Sequence, residues 1–154
     1  MSSESSPKRV KPLMAASMRV GLGDVDGARL VYFAAPATWS ERLMSEWMAV
    51  NGHPLGELFE SGVALPVAST TSTFKSPLRQ DEMVNLELRV SRIGDKSFTV
   101  VTDVLRPGDP DPAIVVETTH VYAEQRGTVV GTKTMPDWLR ADLEPDATAH
   151  RGES

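Results

Sequence analysis

Only one segment of this 154-residue chain has the periodicity of a long helix, and it lies near the start. Trp39, Leu43, Trp47 and Val50 recur at steps of four, four and three, which puts them on one helical face. Thr38 to Glu41 has capping-box spacing, and Pro36 is tolerated only in a first turn. Together they predict a helix that starts between Ala34 and Thr38. Asn51-Gly52 supplies the residue types expected just past its end. One helix with an apolar face needs a partner layer to bury it, so the rest of the chain must wrap it.

That rest reads as strands. A short β-type run, Ser17 to Gly23, precedes the helix, and four β-type stretches follow it. Val63 to Lys75 is rich in Val, Thr and Ala. Val84 to Arg92 alternates, with Val84, Leu86, Leu88 and Val90 on one face and Asn85, Glu87, Arg89 and Ser91 on the other. Ile93-Gly94-Asp95-Lys96 is a hairpin turn leading into Ser97 to Leu105. The proline-rich run from Arg106 to Pro112 is a loop, and Ala113 to Glu124 is the last long strand, with Thr128 to Lys133 as a short extension. A turn of helix is expected at Leu55 to Phe59 and another around Asp137 to Leu143. The expectation is an α+β single domain over 15–143, with one central helix wrapped by an antiparallel meander, about five strands in all. Residues 1–14 and 144–154 read as disordered tails.

Composition removes several function classes. The chain has no cysteine, hence no disulfide, thiolate nucleophile or Cys-ligated zinc. A net charge of −5 argues against a nucleic-acid binder. No apolar run approaches the ~18 residues of a membrane span, and Met1 to Leu13 lacks the apolar stretch of a secretory signal, so the expected location is the cytoplasm. The three histidines, His53, His120 and His150, show no metal-ligand spacing, and no Gly-x-Ser-x-Gly elbow is present. Trp39, Trp47 and Met14, Met18, Met44 and Met48 are assigned to core and interface packing.

The remaining feature is Gly23-Asp24-Val25-Asp26-Gly27-Ala28-Arg29-Leu30-Val31-Tyr32-Phe33, two carboxylates feeding a helix N-terminus. Unpaired N–H groups and the helix dipole favour negative charge there. Short carboxylates are also ordinary turn formers, so the residues by themselves leave both readings open. The string, followed by Trp39 and a long helix, resembles the opening motif of the 4-hydroxybenzoyl-CoA thioesterase family, small hot-dog-fold acyl-CoA thioesterases. That family's pattern is roughly Gly-Asp-x-Asp-x-Ala-Gly-(Ile/Val)-Val-aromatic-aromatic.

The resemblance, which spans about Met18 to Ala123, implies a hot-dog domain and hydrolysis of an acyl-CoA thioester with no cofactor beyond the coenzyme A of the substrate. It implies that Asp26 is the catalytic carboxylate, as nucleophile or general base, and that the backbone N–H of Phe33 polarises the carbonyl. Asp24 would brace the loop. Lys96, preceding Ser97-Phe98, resembles the family's nucleotide-binding lysine, with Arg92 nearby; Lys75 and Arg79 are further candidates for the coenzyme. A homodimer joined at its sheet edges is implied, often as a tetramer of two such dimers, with no nucleic-acid or membrane partner. Two departures stand out: Arg29 replaces the family glycine, and Ala34 replaces the proline that follows the aromatic pair. The alternative function is a non-catalytic acyl-CoA-binding module. A hydratase of the same fold is disfavoured, because its histidine near the helix has no counterpart before Asn51.

Overall fold

The computed structural model describes residues 11–144; the tails expected at the two termini lie outside the described residues over 1–10 and 145–154. The long helix α1 spans Ala35–Val50, with Pro36 in its first turn. The Thr38–Glu41 capping box does not form, because the helix has already begun: Thr38 Oγ1 instead donates back to the Ala34 carbonyl at 3.4 Å. Asn51 caps the C-terminus and Gly52 follows at φ 87°, where glycine carries no side-chain penalty. Trp39, Leu43 and Trp47 are buried as expected. Val50 is not; the buried stripe continues on Ser40, Met44 and Met48, leaving Val50, in the last turn, 68% exposed.

A five-stranded antiparallel sheet covers this helix. It consists of β1 (Met14–Arg19), β3 (Val67–Phe74), β4 (Met83–Ile93), β5 (Ser97–Leu105) and β6 (Ile114–Val121) in the order β1-β4-β5-β6-β3. The first strand starts three residues earlier than expected and stops at Arg19, in register with β4 from Met14↔Leu88 to Arg19↔Met83. The predicted four-strand meander holds only for β4, β5 and β6. β3 lies beyond β6 at the far edge, because residues 75–82, which include Pro77, run past residues 29–31 instead of turning straight back. The Val31 N–H donates to the Leu78 carbonyl at 2.9 Å along that path.

Two predicted strands are split. Pro66 interrupts 63–75, separating β2 (Val63–Ala64) from β3, since proline cannot donate to a ladder. The segment 113–124 breaks at Tyr122 into β6 and β7 (Ala123–Arg126). β2, β7 and β8 (Val129–Thr132) form a second sheet in the order β2-β7-β8. Two short helices complete the chain, α2 (Leu55–Glu60) and α3 (Asp137–Leu143). Arg140 of α3 donates to the Gly94 carbonyl at 2.6 Å, fixing α3 to the β4–β5 turn.

The core packs α1 against Val84, Leu86 and Leu88 of β4, Phe98, Val100 and Val104 of β5, and Ile114 and Val116 of β6. Full burial of each such side chain contributes about 1.5–3 kcal/mol. Within this apolar layer Ser40 Oγ of α1 lies 2.7 Å from Thr102 Oγ1 of β5, both buried.

His120 is buried on β6. It stacks on Phe98 with ring centroids 5.4 Å apart, and its Nδ1 lies 3.3 Å from the Leu65 carbonyl. Burial lowers its pKa below the ordinary histidine value. The unfolded chain therefore takes up a proton before the folded one does. The stabilisation is complete above about pH 6.5 and is lost as pH falls through the depressed folded value. Thermal melts between about pH 7.5 and about pH 5 should show Tm falling on the acid side, and His120→Gln should flatten that limb.

Candidate active site

Residues 25–31 form a small hairpin between the end of β1 and the start of α1. Val25 and Val31 pair across it, and the Asp26 N–H donates to the Leu30 carbonyl at 2.9 Å. The Arg29 N–H donates to the Asp26 carbonyl at 2.9 Å, and Arg29 itself has φ 62°. This is a three-residue loop in which a type I turn is followed by one left-handed residue, the bulge position that glycine usually fills. Arg29 therefore keeps the backbone shape of a glycine, at a cost of about 1–2 kcal/mol.

The turn fixes Asp26. Its Oδ1 accepts the Ala28 N–H at 2.8 Å and the Leu30 N–H at 3.3 Å. Its Oδ2 takes no hydrogen bond among the described residues, and the residue is exposed. Asp24 has a different environment. Its Oδ2 accepts the Gly21 N–H at 2.8 Å, and its Oδ1 accepts the Trp39 indole N–H at 3.0 Å. Its carbonyl accepts the Tyr32 N–H at 3.0 Å. Asp24 thus joins the exit of β1, the aromatic pair and helix α1. Sequence reasoning missed the Trp39 contact, although a buried indole N–H needs an acceptor.

The Phe33 and Ala34 N–H groups, directly before α1, donate to no acceptor among the described residues, whereas that of Tyr32 is occupied by Asp24. Phe33 is 81% exposed and stands edge-on to Tyr32 with centroids 6.0 Å apart. Asp26, Phe33, Val25, Val31, Tyr32 and Phe74 line an apolar cleft of about 700 Å³. Phe74, at the end of β3, is a lining residue that nothing in the sequence singled out. On the other side of Asp26 lies a polar cleft of about 640 Å³, lined by Leu22, Gly27, Ala28, Arg29, Arg79, Gln80 and Asp81.

The loop 75–82 borders the polar cleft through Arg79, Gln80 and Asp81. Besides the Leu78 contact, the Gln80 N–H donates to the Arg29 carbonyl at 3.1 Å. Glu82 Oε2 accepts the Arg79 N–H at 2.6 Å, and its Oε1 accepts from Arg106 Nε at 3.0 Å. The Arg79 amide above all, with the Arg106 guanidinium and the Arg79 charge, holds the Glu82 carboxyl below its ordinary range, and burial acts the other way. Arg106 also bonds Ser76 Oγ at 2.8 Å and contacts the Pro77 carbonyl.

Of the residues singled out in the sequence, Asp24, Asp26, Phe33 and Arg79 are brought together, and Lys75 flanks them in an adjoining cleft of about 320 Å³. Lys96 and Arg92 are not. They lie at the β4–β5 turn, whereas Asp26 neighbours the opposite end of β4, at Met83. An 11-residue strand separates the two places, roughly 35 Å at ~3.3 Å per residue. There Arg92 Nη2 donates to Ser97 Oγ at 2.9 Å.

Residues 20–143 match the thioesterase-like superfamily. A 1,4-dihydroxy-2-naphthoyl-CoA hydrolase from Prochlorococcus marinus is 28% identical over 98 residues, 58% of this chain. The match spans 65% of that relative, just under two thirds of its length. Among solved structures, a gentisyl-coenzyme A thioesterase superposes with a TM-score of 0.72 at 22% identity, covering 82% of this chain and 98% of that one. A 1,4-dihydroxy-2-naphthoyl-CoA thioesterase from Synechocystis gives 0.75 at 18% identity, covering 84% and 94%. At these identities the two structures establish the shared hot-dog fold.

Proposed function

The chain belongs to the thioesterase-like superfamily, and from that premise we propose that it hydrolyses an aromatic acyl-CoA thioester at Asp26, with the hydroxybenzoyl type included among its substrates. The observation that carries the reading is the presence, in one cleft, of Asp26, whose Oδ2 has no partner among the described residues, and of Phe33, whose N–H and that of the adjacent Ala34 donate to none of them. A thioester carbonyl in that cleft accepts those N–H groups, and the helix dipole adds to their effect. Each such donor is worth about 2.7–4 kcal/mol in the transition state. Asp26 then either attacks the carbonyl to give a mixed anhydride, releasing coenzyme A as the thiolate, or takes the proton of a water that attacks. The apolar, aromatic lining suits a ring. The aromatic acyl groups in the names of the relatives above support the same class.

Free-thiol release from benzoyl-, hydroxybenzoyl-, dihydroxynaphthoyl- and butyryl-CoA tests this directly. Aromatic thioesters should be cleaved fastest. Tight binding of all four with no thiol released points instead to a non-catalytic acyl-CoA-binding module.

Assembly follows from β3. It is an edge strand with the sequence VASTTSTF, without charge or proline to protect its free edge. Antiparallel pairing with a second copy would bring the Val67 end of one chain beside Phe74 and the Asp26 cleft of the other. The Lys96 turn lies toward that Val67 end, since Val67 pairs with His120 and His120 with Phe98. Lys96 and Arg92 would then meet the coenzyme phosphates from the neighbouring chain, with Lys75 serving from its own. Light scattering should give at least twice the mass of one chain. Lys96→Ala should raise KM with little change in kcat, because a coenzyme contact is equal in ground and transition states, and added salt should shrink the effect. An unchanged KM at low salt assigns Lys96 to ordinary surface.

A further inference from the structure

Asp26 lines two clefts, one mostly apolar and one of mixed polarity. We propose that the polar cleft is a subsite for a carboxylate carried by the acyl group itself, held by the guanidinium groups of Arg29 and Arg79. The proposal rests on the thioesterase reading above and narrows its substrate class.

Arg29 is the first reason. Its backbone is left-handed at a bulge position where glycine costs nothing. A long charged side chain kept at a strained position marks a site with a use for that side chain. The second reason is placement. Leu30 pairs with Arg79 across an isolated bridge, and the Gln80 N–H bonds the Arg29 carbonyl at 3.1 Å, so the two arginines sit on adjoining backbones and line one cleft. Like charges held side by side repel unless an anion lies between them.

The third reason is that no side-chain hydrogen bond or salt bridge engages either guanidinium among the described residues, although the Arg79 charge acts on the Glu82 carboxylate. Arg89 and Arg106, by contrast, are tied to Asp103 and Glu82 at 2.9 and 3.0 Å. The cleft sets these two guanidiniums beside two carboxylates, Asp26 and Asp81. Asp26 Oδ1 is already engaged by two amides, and Glu82 is held by the Arg79 amide and Arg106. The Asp81 carbonyl accepts from Arg19 Nη1 at 2.8 Å.

The guanidinium fork matches a carboxylate in two-point geometry. The same chemistry would suit a coenzyme phosphate. Arg29, however, is three residues from Asp26 in a tight hairpin, whereas the pantetheine arm carries the phosphates many bonds away from the thioester. An acyl substituent stays close to the reacting carbonyl.

The test compares benzoyl-CoA with 4-carboxybenzoyl-CoA, and the corresponding pantetheine thioesters, which lack phosphate, for wild type and Arg29→Gly. Wild type should favour the carboxylated member in both pairs. Arg29→Gly should melt higher, because the bulge then holds glycine, while the carboxylated-to-plain ratio of kcat/KM falls by about 10- to 100-fold. Arg79→Gln should shift the ratio in the same direction. An unchanged ratio overturns the proposal. So does a loss that is equal for both acyl groups and disappears with the pantetheine thioesters, which assigns the arginines to the coenzyme. If wild type releases no thiol from any of these compounds, the thioesterase reading fails separately. Calorimetric binding of the two acyl-CoAs then decides: a preference lost in Arg29→Gly supports the subsite, and equal affinities overturn it.

Discussion

Asp26→Asn should leave the protein folded and reduce kcat by at least ~10²-fold, the lower end for loss of a general base. The amide oxygen of asparagine still accepts the Ala28 and Leu30 N–H groups that Asp26 Oδ1 accepts at 2.8 and 3.3 Å, so the hairpin keeps its shape. What disappears is the negative charge on the oxygen without a protein partner, which either route of hydrolysis requires. Acyl-CoA binding should survive, because the Phe33 and Ala34 N–H groups and the apolar lining are untouched. Asp26→Ala separates the structural share, since it removes both turn contacts and should cost about 1 kcal/mol in stability. Single-turnover kinetics alongside a thermal melt gives both numbers. If Asp26→Asn turns over at close to the wild-type rate, Asp26 is a turn former only. If Asp24→Asn is the variant that abolishes turnover, the roles of the two carboxylates are reversed.

The second large effect is expected at Trp39, which is 2% exposed and donates its indole N–H to Asp24 at 3.0 Å. Trp39→Ala empties a large core volume and should cost about 3–5 kcal/mol, a sizeable part of the ~5–15 kcal/mol that holds a domain together. For a chain of this size that lowers Tm by on the order of 10 °C. Trp39→Phe separates packing from hydrogen bonding. It keeps most of the ring, loses the bond to the carboxylate and should cost about 2 kcal/mol. Because Asp24 also holds the Tyr32 amide, Trp39→Phe should lower kcat as well as Tm, by loosening the loop that carries Asp26. A variant that melts lower but turns over normally shows that this bond serves stability alone.

The elements with strong local signals were legible in the sequence. β4 follows from alternation, the start of β5 from the turn before it, and α1 from its apolar spacing. The place of β3 was not legible. It pairs with β6, from Phe74↔Ile114 to Val67↔His120, and nothing near Val67 or Phe74 specifies so distant a partner. The two start signals bracketed the observed start at Ala35, and the proline rather than the Thr38–Glu41 pattern set it. In the site, the hairpin motif brought Asp24, Asp26 and Phe33 into view together because they are neighbours in sequence. Lys96 and Arg92 were read as coenzyme contacts, and their place at the far end of the same chain's sheet was not legible, because a turn motif carries no information about which end of the sheet it occupies. Arg29 registered as a missing glycine; that it adopts the glycine's conformation appears only from its φ of 62°.

The hydroxyl pair between Ser40 and Thr102 bears on how accurately the catalytic groups are set. A helix lying on a smooth apolar sheet has several settings of nearly equal energy, displaced by a turn or a fraction of one. A buried hydroxyl that has exchanged water for one particular partner makes every other setting expensive, since moving away leaves one donor and one acceptor unpaired. Ser40 is one residue past Trp39 and two turns from Phe33, so the pair acts as an indexing pin for the N-terminal end of α1. Two methyl groups in its place, as in Ser40→Ala with Thr102→Val, would suit the core as well or better in free energy. They would let the helix slide, and the amides that face the substrate would slide with it.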